Sequence, residues 1–247
     1  MTIQKEDILL EVVRDNPLLA SVVDRFGISY SRWVLPIEQA CATENTDPGL
    51  LIEMLRIFSD KEGFPVAELN KLPFQSIIEY LIKTHVYYIK HRLPRLEQYI
   101  NLLTEQYGKF DIKIYLLKDY FSEYKRDMLQ HIRMEERQLF PYVLRLINAK
   151  DLSQGELFNL LNQNAISEFL NEHFHIEDEL GEMRRRINNY STVHHHRFQT
   201  ATLLQDLRLF EIDLLAHDRI EDEVLIPRAR AIESALHHRL REQAYLN

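Results

Sequence analysis

Two short stretches of this chain carry residue types that could hold metal ions. In His131-Ile-Arg-Met-Glu135 and His217-Asp-Arg-Ile-Glu221 a histidine stands four residues before a glutamate. Residues four apart on a helix lie one above the other on the same face. Each pair would therefore aim an imidazole and a carboxylate at one place. The pattern alone is weak, since eleven histidines and a glutamate content near a tenth predict roughly one chance pair, and the chain has five. The others are His173/Glu177, His175/Glu179 and His238/Glu242. What singles out two of them is context. Residues 131–141 align without a gap on residues 217–227, with five of eleven positions identical, including the His, the Glu and the closing Pro141 and Pro227. A further histidine precedes each copy at a similar distance, His85 before the first and His173 before the second.

The candidate ligand set is thus His85, His131, Glu135, His173, His217 and Glu221. Four imidazoles and two carboxylates suit a pair of cations, because a carboxylate can bridge two ions, and carboxylate-rich bundle cores hold di-iron or di-manganese sites. Imidazole and carboxylate suit iron, manganese or zinc. Six side chains around two ions leave coordination positions for dioxygen, nitric oxide or a bridging oxygen. The remaining histidines have plainer roles. His91 falls on another face than His85, and His175 points away from His173. His194, His195 and His196 fall in a polar loop, and His237 and His238 lie near the C-terminus as surface residues. Met128, Met134, Phe140, Tyr120 and Tyr124 recur at helical spacing and read as core.

Four long amphipathic segments would position these ligands. The first spans about 74–105, after Pro73. The second covers about 111–148, with Pro141 expected to kink or break it. The third starts at the capping-box pattern Ser153-Gln154-Gly155-Glu156 and runs to about 189. The fourth follows the VHHHR stretch and continues to about 240, interrupted at Pro227. Short connections between them predict an antiparallel up-and-down four-helix bundle, built as two hairpins of one design. Before it, residues 1–65 read as a small helical domain broken by punctuation. Asn16-Pro17 starts a helix, Gly27 ends it, and Thr46-Asp47-Pro48-Gly49 turns into another. Residues 60–65 read as a linker to the bundle domain, 66–247.

Composition agrees with an all-α chain: Gly (6) and Pro (8) are scarce, and helix formers dominate. The net charge of −8 argues against a general nucleic-acid binder, which needs a basic surface to release counterions. The one dense basic run, Arg184-Arg185-Arg186, reads as a solvated helix face. No apolar stretch approaches the roughly 20 residues that span a bilayer, and the first residues show no signal-peptide core. The single cysteine, Cys41, has no partner within the chain for a disulfide and fits a reducing compartment. The expected location is the cytoplasm.

The segments THVYYIKHRLP (84–94), QHIRMEERQLFP (130–141), EHFHIEDEL (172–180) and AHDRIEDEVLIP (216–227) resemble the hemerythrin-like (HHE) family, and more closely its iron-sulfur cluster repair (RIC) branch. NPLLASVVDRFGISY and PIEQACATENTDPGLLIEML also resemble the small domain that precedes the bundle in RIC proteins. The resemblance implies a left-handed bundle, a carboxylate-bridged di-iron centre with two Fe per chain, and a link to nitric oxide or oxidative stress. Two departures stand out. Ser31-Arg32 occupies the place where the small domain often has a Cys-Cys pair. Tyr107-Gly108 stands where some members carry an extra histidine, so six ligands are expected, with Tyr107 a hydrogen-bond donor near them.

Three functions compete at this stage. One is a di-iron stress protein that repairs or supplies iron to damaged clusters, with iron-sulfur proteins as partners. Another is a sensor in which dioxygen or nitric oxide binds the centre. The last is a metal-free structural bundle, which would need six buried polar groups satisfied by one another. Residues 1–65 are rich in apolar side chains, among them Ile8, Leu9, Val12, Val13, Leu18, Leu19, Val22, Val23, Phe26 and Trp33. So small a core is marginal alone. Some of these side chains should pack on the bundle or on a second copy in a homodimer.

Overall fold

The computed structural model describes residues 3–44, 46–59, 64–109, 112–163, 165–172, 176–190 and 197–245. The described residues are all-α, with one isolated β-bridge between Ile8 and Pro36. In chain order the helices are α1 (Leu9–Val13), α2 (Pro17–Arg25), α3 (Ile37–Ala42), α4 (Pro48–Ser59), α5 (Val66–Leu69), α6 (Phe74–Tyr87), α7 (Leu93–Tyr107), α8 (Ile112–Met134), α9 (Phe140–Ile147), α10 (Gln154–Leu161), α11 (Ala165–Glu172), α12 (Ile176–Tyr190), α13 (Arg197–Ile220) and α14 (Ile226–Tyr245). No helix among the described residues is long and apolar enough to cross a membrane.

Three joints between these helices are π-helical turns: Tyr88–Arg92 joins α6 to α7, Glu135–Leu139 joins α8 to α9, and Glu221–Leu225 joins α13 to α14. Each ends two residues before a proline, Pro94, Pro141 or Pro227. A proline inside a helix lacks an N–H and its ring collides with the carbonyl four residues earlier. Here that carbonyl belongs to Lys90, Arg137 or Glu223, inside the widened turn. The wider turn makes room for the ring, so the helical path continues where Pro141 and Pro227 were expected to break it. The third segment departs from expectation in the other direction. Ser153 and Glu156 do form the capping box, but the helix it opens, α10, stops after Leu161 at Asn162, and α11 starts anew.

The chain divides into two compact units, Met1–Thr84 with Tyr142–Gln163 and Ala216–Asn247, and His85–Pro141 with Asn164–Leu215. In the second, four helical stretches surround one core that includes Tyr88, Ile100, Phe121, Tyr124, Met128, Leu180, Met183, Leu207 and Phe210. Full burial of a side chain such as Phe210 contributes about 2–3 kcal/mol. Polar ties join each helix to the next around the ring. Lys125 bonds Glu97 at 2.8 Å, Tyr120 donates to the Glu179 carbonyl at 3.2 Å, and Arg184 bonds Glu211 at 2.7 Å. Arg95 closes the ring on Asp206 at 2.8 Å, with Arg92 and buried Asp213 at 3.8 Å beside them. As the first helix ascends from Arg92 to Arg95, its partners descend from Asp213 to Asp206, which is the antiparallel sense of an up-and-down bundle. Gly108 ends α7 because the chain doubles back tightly there. A Cβ at that position would meet the Thr104 carbonyl oxygen at 2.5 Å and the Tyr115 ring at 2.9 Å.

The other unit contains the N-terminal helices. The Asn16 side chain caps α2 by accepting from the Leu18 N–H and also donates to the Phe58 carbonyl at the end of α4, both at 3.0 Å. Gly27, at φ 75°, takes the left-handed backbone that ends α2. Leu9 and Val13 of α1, Leu18, Leu19, Val22 and Val23 of α2, and Leu51, Met54 and Leu55 of α4 are buried, while Leu10, Val12, Ile57 and Phe58 are half-buried. Buried Arg25 reaches α6, donating to the Tyr80 hydroxyl at 3.3 Å and the Thr84 hydroxyl at 3.4 Å, while the Phe26 ring stacks on Tyr80. Arg228 covers Phe74 and donates to the Leu72 carbonyl at 3.0 Å. Arg239 donates to the carbonyls of Ala149, Lys150 and Leu152, which fastens α14 beside the start of α10. Cys41 is fully buried, and burial, with Asp47 adding to it, pushes its thiol up to about 11, so it is not poised for thiolate chemistry.

Candidate metal centre

The amphipathic stripe of α8 carries Phe121, Tyr124, Met128 and His131 inward, and continuing it one turn brings Glu135 to the first position of the π turn. His131 Nε2 lies 2.8 Å from Glu135 Oε1. The second carboxylate oxygen, Glu135 Oε2, lies 3.1 Å from His85 Nε2 on the first helix. His85 and Glu135 are completely buried. The other ring nitrogen of His85, Nδ1, lies 3.0 Å from Oε1 of Glu136. Phe140 stacks on the His85 ring, with centroids 5.8 Å apart and planes 10° apart, and Phe169 stands 6.1 Å from the His131 ring. Apolar walls of this kind exclude water and strengthen every charge interaction inside.

The echoed pair repeats the layout. His217 Nε2 is 3.7 Å from Glu221 Oε1, both are buried, and Glu221 opens a π turn as Glu135 does. One ligand atom from each of His85, Glu135, His217 and Glu221 lies within 4.8 Å of the others. His131 joins through its contact with Glu135. His173 lies outside the described residues, as do His175 and the His194–His196 tract. His91, His237 and His238 are exposed. Tyr107 is partly buried and packs on the bundle core. The sequence pattern did not single out Glu136, although the adjacent acids Glu135-Glu136 and their echo Glu221-Asp222 were a visible signal.

Burying two carboxylates is costly unless positive charge accompanies them. Part of that charge comes from His85. Burial works against its ionisation, but hydrogen bonds to Glu135 and Glu136 prevail and raise its pKa to about 9. Glu135 is also desolvated, yet His131 and His85 hold its carboxyl well below the usual range. An imidazolium therefore stands among the carboxylates where a cation would neutralise them. Buried, closely spaced imidazole nitrogens and carboxylate oxygens are the donor set that first-row divalent metals take, and the residues present fit such a group.

The hemerythrin HHE cation binding domain matches residues 76–229 of this chain. The iron-sulfur cluster repair protein ScdA of Staphylococcus epidermidis, in two strains, is 23% identical over 227 residues, covering 90% of this chain and 97% of the relative. The protein of the same name from Staphylococcus haemolyticus is 22% identical over 189 residues, covering 76% of this chain and 82% of the relative. The matched span runs from the start of α6 into α14 and encloses every His and Glu of the buried cluster, so the chain belongs to the hemerythrin HHE cation-binding domain family.

Proposed function

We propose that the chain is a di-iron protein that restores damaged iron-sulfur clusters, with His85, His131, Glu135, His173, His217 and Glu221 holding two Fe per chain. The observation that carries this reading is the convergence of His85, Glu135, His217 and Glu221 in a buried cluster inside a cation-binding domain. The repair role draws on the names of the relatives, which span nearly the same length. Bound iron would supply redox chemistry and an exchangeable position for nitric oxide or dioxygen. The protein's own groups bind the ions, keep water out with Phe140 and Phe169, and hold protons on the outward ring nitrogens. The partners on this reading are iron-sulfur proteins in the cytoplasm, and residues 1–65 act as a helical unit that contacts a partner or a second copy.

The test is to purify the full chain without oxygen, measure iron per chain, and incubate it with a [4Fe-4S] dehydratase inactivated by nitric oxide. Two irons per chain and recovery of dehydratase activity are expected. Equal recovery with the metal-free chain would overturn the repair role, and one iron or none in natively expressed protein would overturn the paired centre.

A further inference from the structure

Building on the ligand assignment proposed above, we infer that Glu136 is the positioning residue for His85: its carboxylate accepts the Nδ1–H and so presents Nε2 to the metal. Imidazole binds a metal through one nitrogen while the other carries the proton, and the acceptor of that proton fixes both tautomer and ring direction. Here the two nitrogens of His85 face two consecutive carboxylates. Nε2 is 3.1 Å from Glu135, which belongs to the buried cluster, and Nδ1 is 3.0 Å from Glu136, which does not. Rotating the ring by half a turn about Cβ–Cγ would put carbon Cδ2 where Nδ1 stands and carbon Cε1 where Nε2 stands, and the Nδ1 contact with Glu136 opposes it. The Phe140 ring, stacked nearly parallel on the imidazole, restricts tilting as well.

Exposure separates the two acids. The Glu135 side chain is completely buried, whereas that of Glu136 is 37% exposed. Glu136 therefore retains solvent on its far side and meets the buried ring with its near oxygen. That places it outside the metal's own donors and beside one of them. Glu135 and Glu136 are consecutive residues of the π turn, so their side chains leave it in different directions. The bond from Glu136 thus comes from the side while Glu135 reaches straight in, and His85 fits between them.

The test uses the full-length chain and its H85A, E136A and E136Q variants. Ferrous affinity is read by competition with a chromophoric chelator, without oxygen. The exchangeable, hyperfine-shifted ring N–H of the cobalt(II)-loaded protein is followed by proton NMR. H85A is expected to lose tight binding. E136A is expected to weaken binding about 10- to 100-fold and to lose the slowly exchanging ring proton. E136Q keeps an acceptor oxygen and should recover most of the affinity and the protected proton. If H85A binds as the wild type does, the ligand assignment itself fails and Glu136 has nothing to position. If H85A fails to bind while E136A binds within about twofold of wild type and keeps its protected ring proton, the ligand assignment stands and the role of Glu136 is overturned.

Discussion

Arg25 donates to the hydroxyl of Thr84, 3.4 Å away, and Thr84 is the residue immediately before His85. A side chain of the second N-terminal helix thus grips the first bundle helix next to a candidate ligand, with Tyr80 held by the same guanidinium. Arg25→Ala leaves buried Thr84 and Tyr80 without that donor, and the expected loss of stability is about 1–3 kcal/mol. The urea midpoint of the full chain measures it. A midpoint unchanged from wild type would mean that this contact does not tie the N-terminal helices to α6.

Glu135→Ala and Glu221→Ala should each abolish the paired metal centre, because each removes a buried carboxylate from the cluster. Glu177→Ala should leave metal content near wild type, since its His-x3-Glu pair lacks the echoed context. Elemental analysis of the three proteins, expressed identically, separates the outcomes. Equal metal retention in all three would remove the case for these two carboxylates.

The metal-free chain should lose stability as the pH rises toward 9. His85 is raised from 6.5 to about 9 in the folded chain. Its contribution is fully present below about pH 6.5 and disappears as pH climbs through about 9. Glu135, held low when folded, contributes above its ordinary value of 4.5 and is lost only on acidification. Metal-free protein should therefore be most stable between these limits. Urea midpoints from pH 6 to 10 should fall in the wild type and stay flat in His85→Gln. A flat wild-type profile would show that His85 carries no proton in the folded chain.

Much of this architecture was written in local sequence. Asn16 before Pro17 and Ser153 three residues before Glu156 act within one turn of helix, so their caps could be read directly and both formed. The repeated His-x3-Glu stretches were legible for the same reason, because four-residue spacing on a helix fixes a shared face. Pro141 misled because a proline's collision with the preceding turn is local, while the remedy, a wider turn upstream, leaves no residue type of its own. The stop at Asn162 was also hidden, since the amphipathic spacing runs on past it. The bond between Glu136 and His85 joins residues 51 apart and exists only once two helices have met.

Two glycines offer opposite tests of packing. Gly108→Ala places a methyl 2.5 Å from the Thr104 carbonyl oxygen, so the turn between α7 and α8 must open, at an expected cost of about 1–3 kcal/mol. Gly155→Ala, in the first turn of α10, meets nothing within 4 Å and should stabilise the chain by up to about 1 kcal/mol. Thermal melting of the two variants should move in opposite directions, and a shared direction would mean that the surroundings of one are misjudged.

The complete burial of His85, Glu135 and Glu221 sets a tempo as well as an affinity. Donors sealed from solvent can exchange an ion only when the surrounding helices part, and such local opening has its own free energy and rate. Removal of the metal by a chelator should then become independent of chelator concentration once opening is the slow step. A protein that donates iron from such a place would do so at the pace of its own breathing, and a partner that hastens opening would act as a release factor.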